Sequence, residues 1–383
     1  MKYSRVMIFS AAFGSGHIRT AEALMEIFQT DYPTVQVLHL DCGEILNKTV
    51  NKILKALYLS LLKYAPGLWG GFYKNTSEID QDSYFQHLLN TTGRNNCIQC
   101  IDSFRPDLIV CTYPIIAGIL GQLRLEKRLD IPVAVIITDY TVHSQWLHSG
   151  VDLYFVGCQE IKRGLISRGI DADKIRATGI PVSPKFDIRL DRTEIAEKLG
   201  VSSDRPTILI MGGAYGVLSE TKEICRLASE IPIISQTIIV CGHDAELFNS
   251  LDDLVGSSRN PVLRLGYARN VEELMTVADL VISKAGGLTV AEALTKRLPI
   301  LILKMIPGQE TVNAQFLEKI GAGRIVRSND DLQAMICDLL QHPEKMEKMR
   351  KCAAAAIPGR SAELACRNMM ELLGVSVTEK ETG

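Results

Sequence analysis

The stretch Ser283-Lys284-Ala285-Gly286-Gly287-Leu288-Thr289-Val290-Ala291-Glu292-Ala293-Leu294 decides how this chain is read. An apolar run, Leu280-Val281-Ile282, precedes it and reads as a buried parallel strand. A helical pattern runs from about Leu288 to Leu294. Gly286 and Gly287 therefore stand at a strand-to-helix turn. Backbone N–H groups and the positive end of a helix dipole can meet a phosphate there. Glycine suits the position because a Cβ would block the close approach. Glu292 falls one turn into the helix, near enough to accept hydrogen bonds from a ribose. The same residues also satisfy a plain βα turn with a glutamate on the helix surface, so the choice rests on the remaining sequence.

The flanking sequence repeats the alternation. Thr207 to Met211 reads as a strand, Gly212-Gly213-Ala214-Tyr215-Gly216 as a second glycine cradle, and Val217 to Ser229 as a helix. Gln236 to Cys241 is a strand, Ala245 to Val255 a helix, and Val262 to Leu265 a short strand ending at Gly266-Tyr267. A helix from Val271 to Ala278 leads back to the opening strand. Beyond it, Ile300 to Leu303 reads as a strand and Val312 to Ile320 as a helix. Between these, Gln309 and Glu310 stand at a strand's carboxyl end, where an amide and a carboxylate suit recognition of sugar hydroxyls. Glu310 and Thr311 equally suit capping of the helix. From Asn329 on the chain is mostly helical, and Val375 to Gly383 reads as frayed.

The amino-terminal half follows the same plan. Arg5 to Ala11 is a strand, broken by Gly14 and Gly16, and Ala21 to Phe28 continues as a helix. The third glycine of a dinucleotide fingerprint is missing, so the turn does not indicate NAD. His17 falls at the helix N-terminus on the sheet's carboxyl edge, where ligands bind in open α/β sheets. An imidazole there suits a proton carrier, or a cap, or a solvent-facing side chain. Val35 to Leu40 is a second strand. Leu108 to Thr112 and Val133 to Thr138 are further buried strands, with a helix from Ile115 to Lys127 between them. Asp139 follows the latter strand at the same edge as His17. The two can converge on one hydroxyl, one abstracting its proton and the other orienting or stabilising it; Asp139 also suits capping of the next turn. Leu153 to Val156, a helix from Gln159 to Arg168, and Ile175 to Thr178 complete this half. Asp171-Ala172-Asp173 has the DxD form of some metal-dependent transferases, but it lies in a Gly/Asp turn and reads as a solvated loop. Gly179 to Asp187, with two prolines and little periodicity, reads as a linker.

One region departs from the alternation. Val50, Ile53, Leu54, Leu57, Leu61 and Leu62 recur at helical spacing, with Lys52, Lys55 and Lys63 among the polar positions. Trp69, Phe72, Tyr73 and Lys74 follow. A lysine-bearing amphipathic helix with an aromatic cluster suits a membrane headgroup region; a leucine stripe also suits core packing.

Composition narrows the classes. The 383 residues are 46% hydrophobic, enough for two domains. The net charge of -2 gives no global basic field for nucleic acid. No apolar run approaches the ~20 residues that span a bilayer, and the amino terminus flows straight into a strand rather than a signal peptide. The chain is therefore expected in the cytoplasm. The ten cysteines mostly sit in apolar or helical contexts, as free thiols do. Cys97 and Cys100 form a lone CxxC without a second pair, which argues against zinc.

Taken jointly, SKAGGLTVAEAL and PGQETVNAQF, with GSGHIRTAEAL and TDYTVHSQW, resemble the monogalactosyldiacylglycerol synthase and processive diacylglycerol glucosyltransferase group. That group is related to the bacterial lipid II N-acetylglucosaminyltransferase. The similarity spans nearly the whole chain and is most specific from Gly266 to Gly321. It implies an α/β glycosyltransferase B fold, two Rossmann-like domains facing across a cleft. Residues 1–180 would form the acceptor and membrane-facing domain, 181–191 the linker, and 192–360 the nucleotide-sugar domain. Residues 361–383 would form a helix and tail that pack back on the first domain. On the matching positions, Gly212, Gly213 and Gly216 would line the diphosphate, and Tyr267 would border the uracil. Gly286 and Gly287 would hold the phosphates, Glu292 the ribose, and Gln309 and Glu310 the sugar. His17 and Asp139 would face the acceptor hydroxyl, and Val50 to Lys74, including Leu57, Leu61, Trp69, Phe72 and Tyr73, would touch the membrane. The family has further glycines before the histidine, where this chain has Ala12-Phe13-Gly14-Ser15-Gly16.

The implied reaction is inverting transfer of a hexose from UDP-glucose or UDP-galactose to diacylglycerol, at the inner face of the cell membrane. The UDP-sugar is a substrate, and no cofactor or metal is expected, because glycine N–H groups and a helix dipole stabilise the diphosphate. Rival readings keep the donor site and change the rest: a soluble or polyprenyl-linked acceptor, a UDP-sugar epimerase, or a protein that senses UDP-sugar.

Overall fold

In the computed structural model, the structure describes residues 4–12, 16–45, 67, 71, 93–212, 221–303 and 307–375. The expected membrane residues Leu57, Leu61, Trp69, Phe72 and Tyr73 lie outside the described residues, as do Gly213 and Gly216. The apolar runs become short parallel strands. Inner strands such as Leu108–Cys111 and Leu280–Ser283 are buried throughout, which is why they read as unbroken hydrophobic runs rather than alternations.

The chain divides into two compact units, residues 1–184 with 358–383 and residues 185–357. In the first, β1 (Arg5–Ser10), β2 (Gln36–Asp41), β3 (Leu108–Cys111), β4 (Val133–Ile136), β5 (Leu153–Phe155) and β6 (Ile175–Arg176) lie in the order β2-β1-β3-β4-β5-β6. In the second, β7 (Thr207–Met211), β8 (Gln236–Val240), β9 (Val262–Leu265), β10 (Leu280–Ser283), β11 (Ile300–Ile302) and β12 (Gly323–Ile325) lie in the order β12-β11-β10-β7-β8-β9. Every pairing is parallel. Numbered within its unit and read backwards, the second order is 3-2-1-4-5-6, that of a dinucleotide-binding sheet. Each sheet reverses its winding once, between β1 and β3 and between β7 and β10. Loops leave such a switch point in opposite directions and open a crevice at the carboxyl edge.

Helices cover the sheet faces. The ones that position the sites are α1 (Gly16–Asp31), α2 (Arg192–Leu199), α3 (Gly287–Thr295), α4 (Gln309–Ile320), α5 (Pro343–Ala356) and α6 (Ser361–Leu372). In the first unit Ala21, Leu24 and Phe28 of α1 share one core with Ala362, Ala365, Cys366 and Met369 of α6. The final helix thus belongs to the first unit's core, and Arg176 Nε donates to Asn368 Oδ1 at 3.0 Å. The second unit's core joins Ile208, Ile210, Ile239, Leu280, Ile282 and Leu301 of the sheet to helices on either face.

The strand β12 has no counterpart in the sequence reading, and one helix is broken. The helix expected from Ala245 to Val255 is two short helices, Ala245–Ser250 and Asp252–Ser257. Leu251 between them is fully buried, so its side chain is drawn into the core while Asp252 and Asp253 open the next helix. Tertiary burial overrides a continuous helical pattern here. Asp171 behaves as read: its Oδ1 accepts from Asp173 N at 3.1 Å, and both residues are exposed. Among the described residues no helix is long and apolar enough to cross a membrane.

Candidate functional site

Two groups of side chains stand at the two switch points. In the first unit, Gly16 opens α1 directly after the β1 edge, and His17 follows in its first turn. The Thr112 hydroxyl, just beyond β3, donates to the His17 carbonyl at 3.0 Å and fixes that turn. Thr138, beyond β4, brings Oγ1 to 3.1 Å from His17 Nδ1. Tyr113 packs edge-on to the imidazole with centroids 5.5 Å apart, and Trp146 lies tilted at 6.4 Å. Loops after β1, β3 and β4 thus converge on one half-buried ring. This apolar surround lowers the His17 pKa from 6.5 to about 4; a hydrogen bond with the Thr112 backbone partly opposes the shift. The imidazole is therefore neutral near pH 7, with a lone pair available and a basicity below that of a free imidazole. Where Nδ1–H donates to Thr138, Nε2 carries the free lone pair.

Asp139 follows Thr138 directly and is half-buried, so the structure puts it on the loop whose preceding residue touches His17. That loop is held from below. His148 Nε2 bonds the Gln145 carbonyl at 2.9 Å, and the Tyr154 hydroxyl accepts from His148 N at 2.8 Å and donates to its carbonyl at 2.9 Å. His143 is also buried, its Nδ1 accepting from Gln145 N at 3.2 Å. Both imidazoles hydrogen-bond to the backbone of Gln145 in the same turn.

In the second unit the turn after β10 carries the opening stretch. Gly286 is the N-cap of α3 with φ −67° and ψ 136°, and no side chain caps the helix. The N-cap residue thus offers no side-chain acceptor to the first-turn N–H groups, a setting that suits an anion. A Cβ added at Gly286 would meet nothing nearer than Thr289 Oγ1 at 3.9 Å, and one at Gly212 nothing nearer than the Leu247 and Thr221 side chains at 3.7 Å. Neither glycine is demanded by local packing or by a positive φ; what their bareness leaves open is the approach from outside. Glu292 is buried on α3.

The turn is tied to α4. Lys284 Nζ lies 2.8 Å from Glu310 Oε1, the carboxylate side chain being only 10% exposed. Asn313, fully buried, donates Nδ2 to the Ala285 carbonyl at 3.0 Å. Gln309 and Glu310 open α4 behind Gly308, whose φ of 116° suits glycine. Glu310 stands in the first turn of α4 and is the ion-pair partner of Lys284. At the ends of β8 and β9, Tyr267 is 46% exposed and stacks on His243, centroids 4.4 Å apart and planes 12° from parallel. A flat, partly exposed aromatic step suits stacking of a planar ring.

Sequence reading singled out neither His243, Lys284, Asn313 nor Thr138. Only His243 carried a usable signal: it follows Cys241-Gly242 at a strand's carboxyl end, just as Tyr267 follows Gly266.

Comparison with known proteins joins these observations. Residues 17–182 match the model of the monogalactosyldiacylglycerol (MGDG) synthase family, and residues 207–363 match the glycosyltransferase family 28 C-terminal domain. A processive diacylglycerol beta-glucosyltransferase of Bacillus pumilus is 31% identical over 91% of this chain and 89% of its own. Among solved structures, MurG of Acinetobacter baumannii superposes with a TM-score of 0.64 at 17% identity, covering 96% of this chain and 99% of that one. A UDP-GlcNAc 2-epimerase of Neisseria meningitidis, bound to UDP-GlcNAc, gives 0.59 at 16% identity over 96% and 100%. These structural likenesses show the glycosyltransferase B fold.

Proposed function

The chain belongs to the family of monogalactosyldiacylglycerol synthases and processive diacylglycerol beta-glucosyltransferases, and on that premise we propose that it is a hexosyltransferase moving a sugar from a UDP-sugar to diacylglycerol. The observation that carries the reading is the pairing of two unlike edges in one chain: a neutral, half-buried imidazole in the MGDG-synthase-like unit and an uncapped helix start in the family-28-like unit. The first suits proton removal and the second suits a leaving diphosphate.

The chemistry follows from those two edges. The diacylglycerol hydroxyl oxygen forms a bond to the sugar's anomeric carbon as the bond from that carbon to the diphosphate oxygen breaks. UDP leaves with the electron pair. The hydroxyl proton passes to His17 or to Asp139, and the α-linked donor gives a β-linked product. Gly212, Gly213, Gly216, Gly286 and Gly287 approach the diphosphate, with the N–H groups of α3 facing its developing charge. Glu292 accepts from the ribose, Tyr267 with His243 stacks the uracil, and Gln309 and Glu310 take the sugar hydroxyls. Lys284 holds the Glu310 side chain in place by their ion pair. Val50 to Lys74, through Leu57, Leu61, Trp69, Phe72 and Tyr73, meets the lipid surface, at the cytoplasmic face of the membrane. No step of this scheme uses a metal.

The test is UDP release from UDP-glucose and UDP-galactose, each with and without diacylglycerol liposomes and with no added divalent ion. Release that requires both one donor and the lipid supports the proposal and names the sugar. Release without lipid means hydrolysis or a soluble acceptor, and interconversion of UDP-sugars without any acceptor means an epimerase. UDP binding without turnover on any donor would leave a sensor.

A further inference from the structure

The second unit contains a cleft of about 760 Å³ at the end of its sheet opposite the glycine turns. Its walls are residues 186–190, the start of α2, Asp279 just before β10, the carboxyl end of α3 at Thr295 to Leu298, and one side of α5. β10 separates it from the turn at Lys284, and four strand residues span about 13 Å. The cleft is therefore separate from the donor edge.

Its lining is basic, with six cations against three carboxylates. The internal pairing leaves cations over. Asp279 accepts from both terminal nitrogens of Arg192, at 3.0 and 2.8 Å, from the Thr207 backbone at 2.9 Å, and lies 3.5 Å from Arg350. Arg350 is also 3.9 Å from Glu347. Lys296 Nζ spends a hydrogen bond on the neutral carbonyl of Ile188 at 3.0 Å. Burial lowers the Lys296 pKa, and Glu272 and Asp187 oppose the shift. Among the described residues Arg189, Arg297 and Lys351 make no ion pair, and all three are exposed on the cleft wall. The negative end of α3 accounts for a cation at 296 or 297, but not for those contributed by α5 and by residue 189.

We propose that this cleft binds a phosphate-bearing anion, with Arg297, Lys351 and Arg189 as its ligands. Guanidinium forks match phosphate oxygens two at a time, and the volume admits a phosphorylated small molecule or a lipid phosphate headgroup, well beyond one bare ion. The proposal stands independently of the donor site, since none of its ligands belongs to that edge.

The experiment uses the full chain and two probes. Inorganic phosphate is titrated calorimetrically at constant ionic strength into wild type, R297Q/K351Q and R189Q. In parallel, co-sedimentation is measured with phosphatidylglycerol–phosphatidylcholine vesicles and with phosphatidylcholine vesicles alone. The substituted side chains are exposed, so unchanged thermal melting is expected. Saturable phosphate binding weakened about tenfold or more in R297Q/K351Q supports the site and a soluble phosphorylated ligand. Vesicle binding that needs phosphatidylglycerol and falls in R297Q/K351Q supports the site and a headgroup ligand. Equal binding by wild type and both variants, or no binding of either probe by wild type, overturns it. Phosphate held only at the glycine turn would persist in all variants and so counts as the overturning result.

Discussion

The two carboxyl edges are built from the same topology and from opposite materials. At the β1–β3 switch the working surface is side chain: an imidazole packed against Tyr113 and Trp146, with the Thr138 hydroxyl at its Nδ1. At the β7–β10 switch it is mostly backbone, bare glycines and a helix start without a side-chain cap, braced from behind by a half-buried ion pair and an asparagine. The difference follows from what each must handle. A proton needs one group of suitable basicity, whose pKa is set by burial. A diphosphate needs several donors that stay in place while charge develops, and fixed N–H groups reorganise little. A single substitution should therefore harm the first edge through chemistry and the second through position.

The largest effect tests this directly. His17→Ala or Asp139→Ala should lower kcat by about 10²–10⁴-fold, with UDP affinity near wild type by calorimetry. The residue with the larger loss is the base. Thr138→Val should give a smaller loss and move the pH–rate profile, because the ring loses its Nδ1 partner. If both alanine variants keep full turnover, the first edge is not where the proton goes.

At the second edge, Lys284→Ala leaves Glu310 poorly solvated and without its cation. The expected cost is about 2–3 kcal/mol in urea unfolding, with a raised KM for the UDP-sugar. The double variant K284M/E310L should regain most of the stability and none of the donor affinity. Recovery of both would make the pair a mere brace.

Acid should separate the edges as well. His148 is buried and neutral, and burial lowers its pKa to about 4, against about 6.5 when unfolded. A depressed histidine stabilises the fold above pH 6.5, and that contribution is lost as pH falls toward 4. Roughly 2–3 kcal/mol of pH-dependent stability is expected from this group, and H148Q should flatten the Tm–pH curve over that window. Since His148 supports the 139–146 loop, activity should fall on acidification before UDP binding does.

Much of this was legible because buried parallel strands announce themselves. Leu280-Val281-Ile282 and Leu108 to Cys111 need no alternation to be recognised, and glycines mark where they stop. The α/β class and the family followed from such stretches and their turns. Partnerships across the fold did not. Lys284 lay within the stretch that opened the reading, yet a lysine beside a glycine turn says nothing until Glu310, 26 positions later, is brought to 2.8 Å. Thr138 looked like the end of a strand, and its contact with His17 spans 121 positions. Leu251 looked helical until the core claimed it.

Two smaller effects sharpen the backbone side of the comparison. Gly286→Ala should fold as well as wild type or slightly better, since its φ is ordinary and 3.9 Å of space awaits the methyl. Donor affinity should nonetheless fall about tenfold, because the methyl intrudes where a phosphate approaches. Normal affinity would mean that the diphosphate lies elsewhere. The smallest change is expected at the stacked pair. Tyr267→Ala removes the exposed aromatic ring, and His243→Ala removes its support. Each should raise the KM for UDP-sugar roughly fivefold, about 1 kcal/mol, with kcat little changed, because stacking is made equally in ground and transition states. A lowered kcat instead would mean that this pair contributes more than ground-state binding, and the division between a chemical edge and a positional edge would no longer hold.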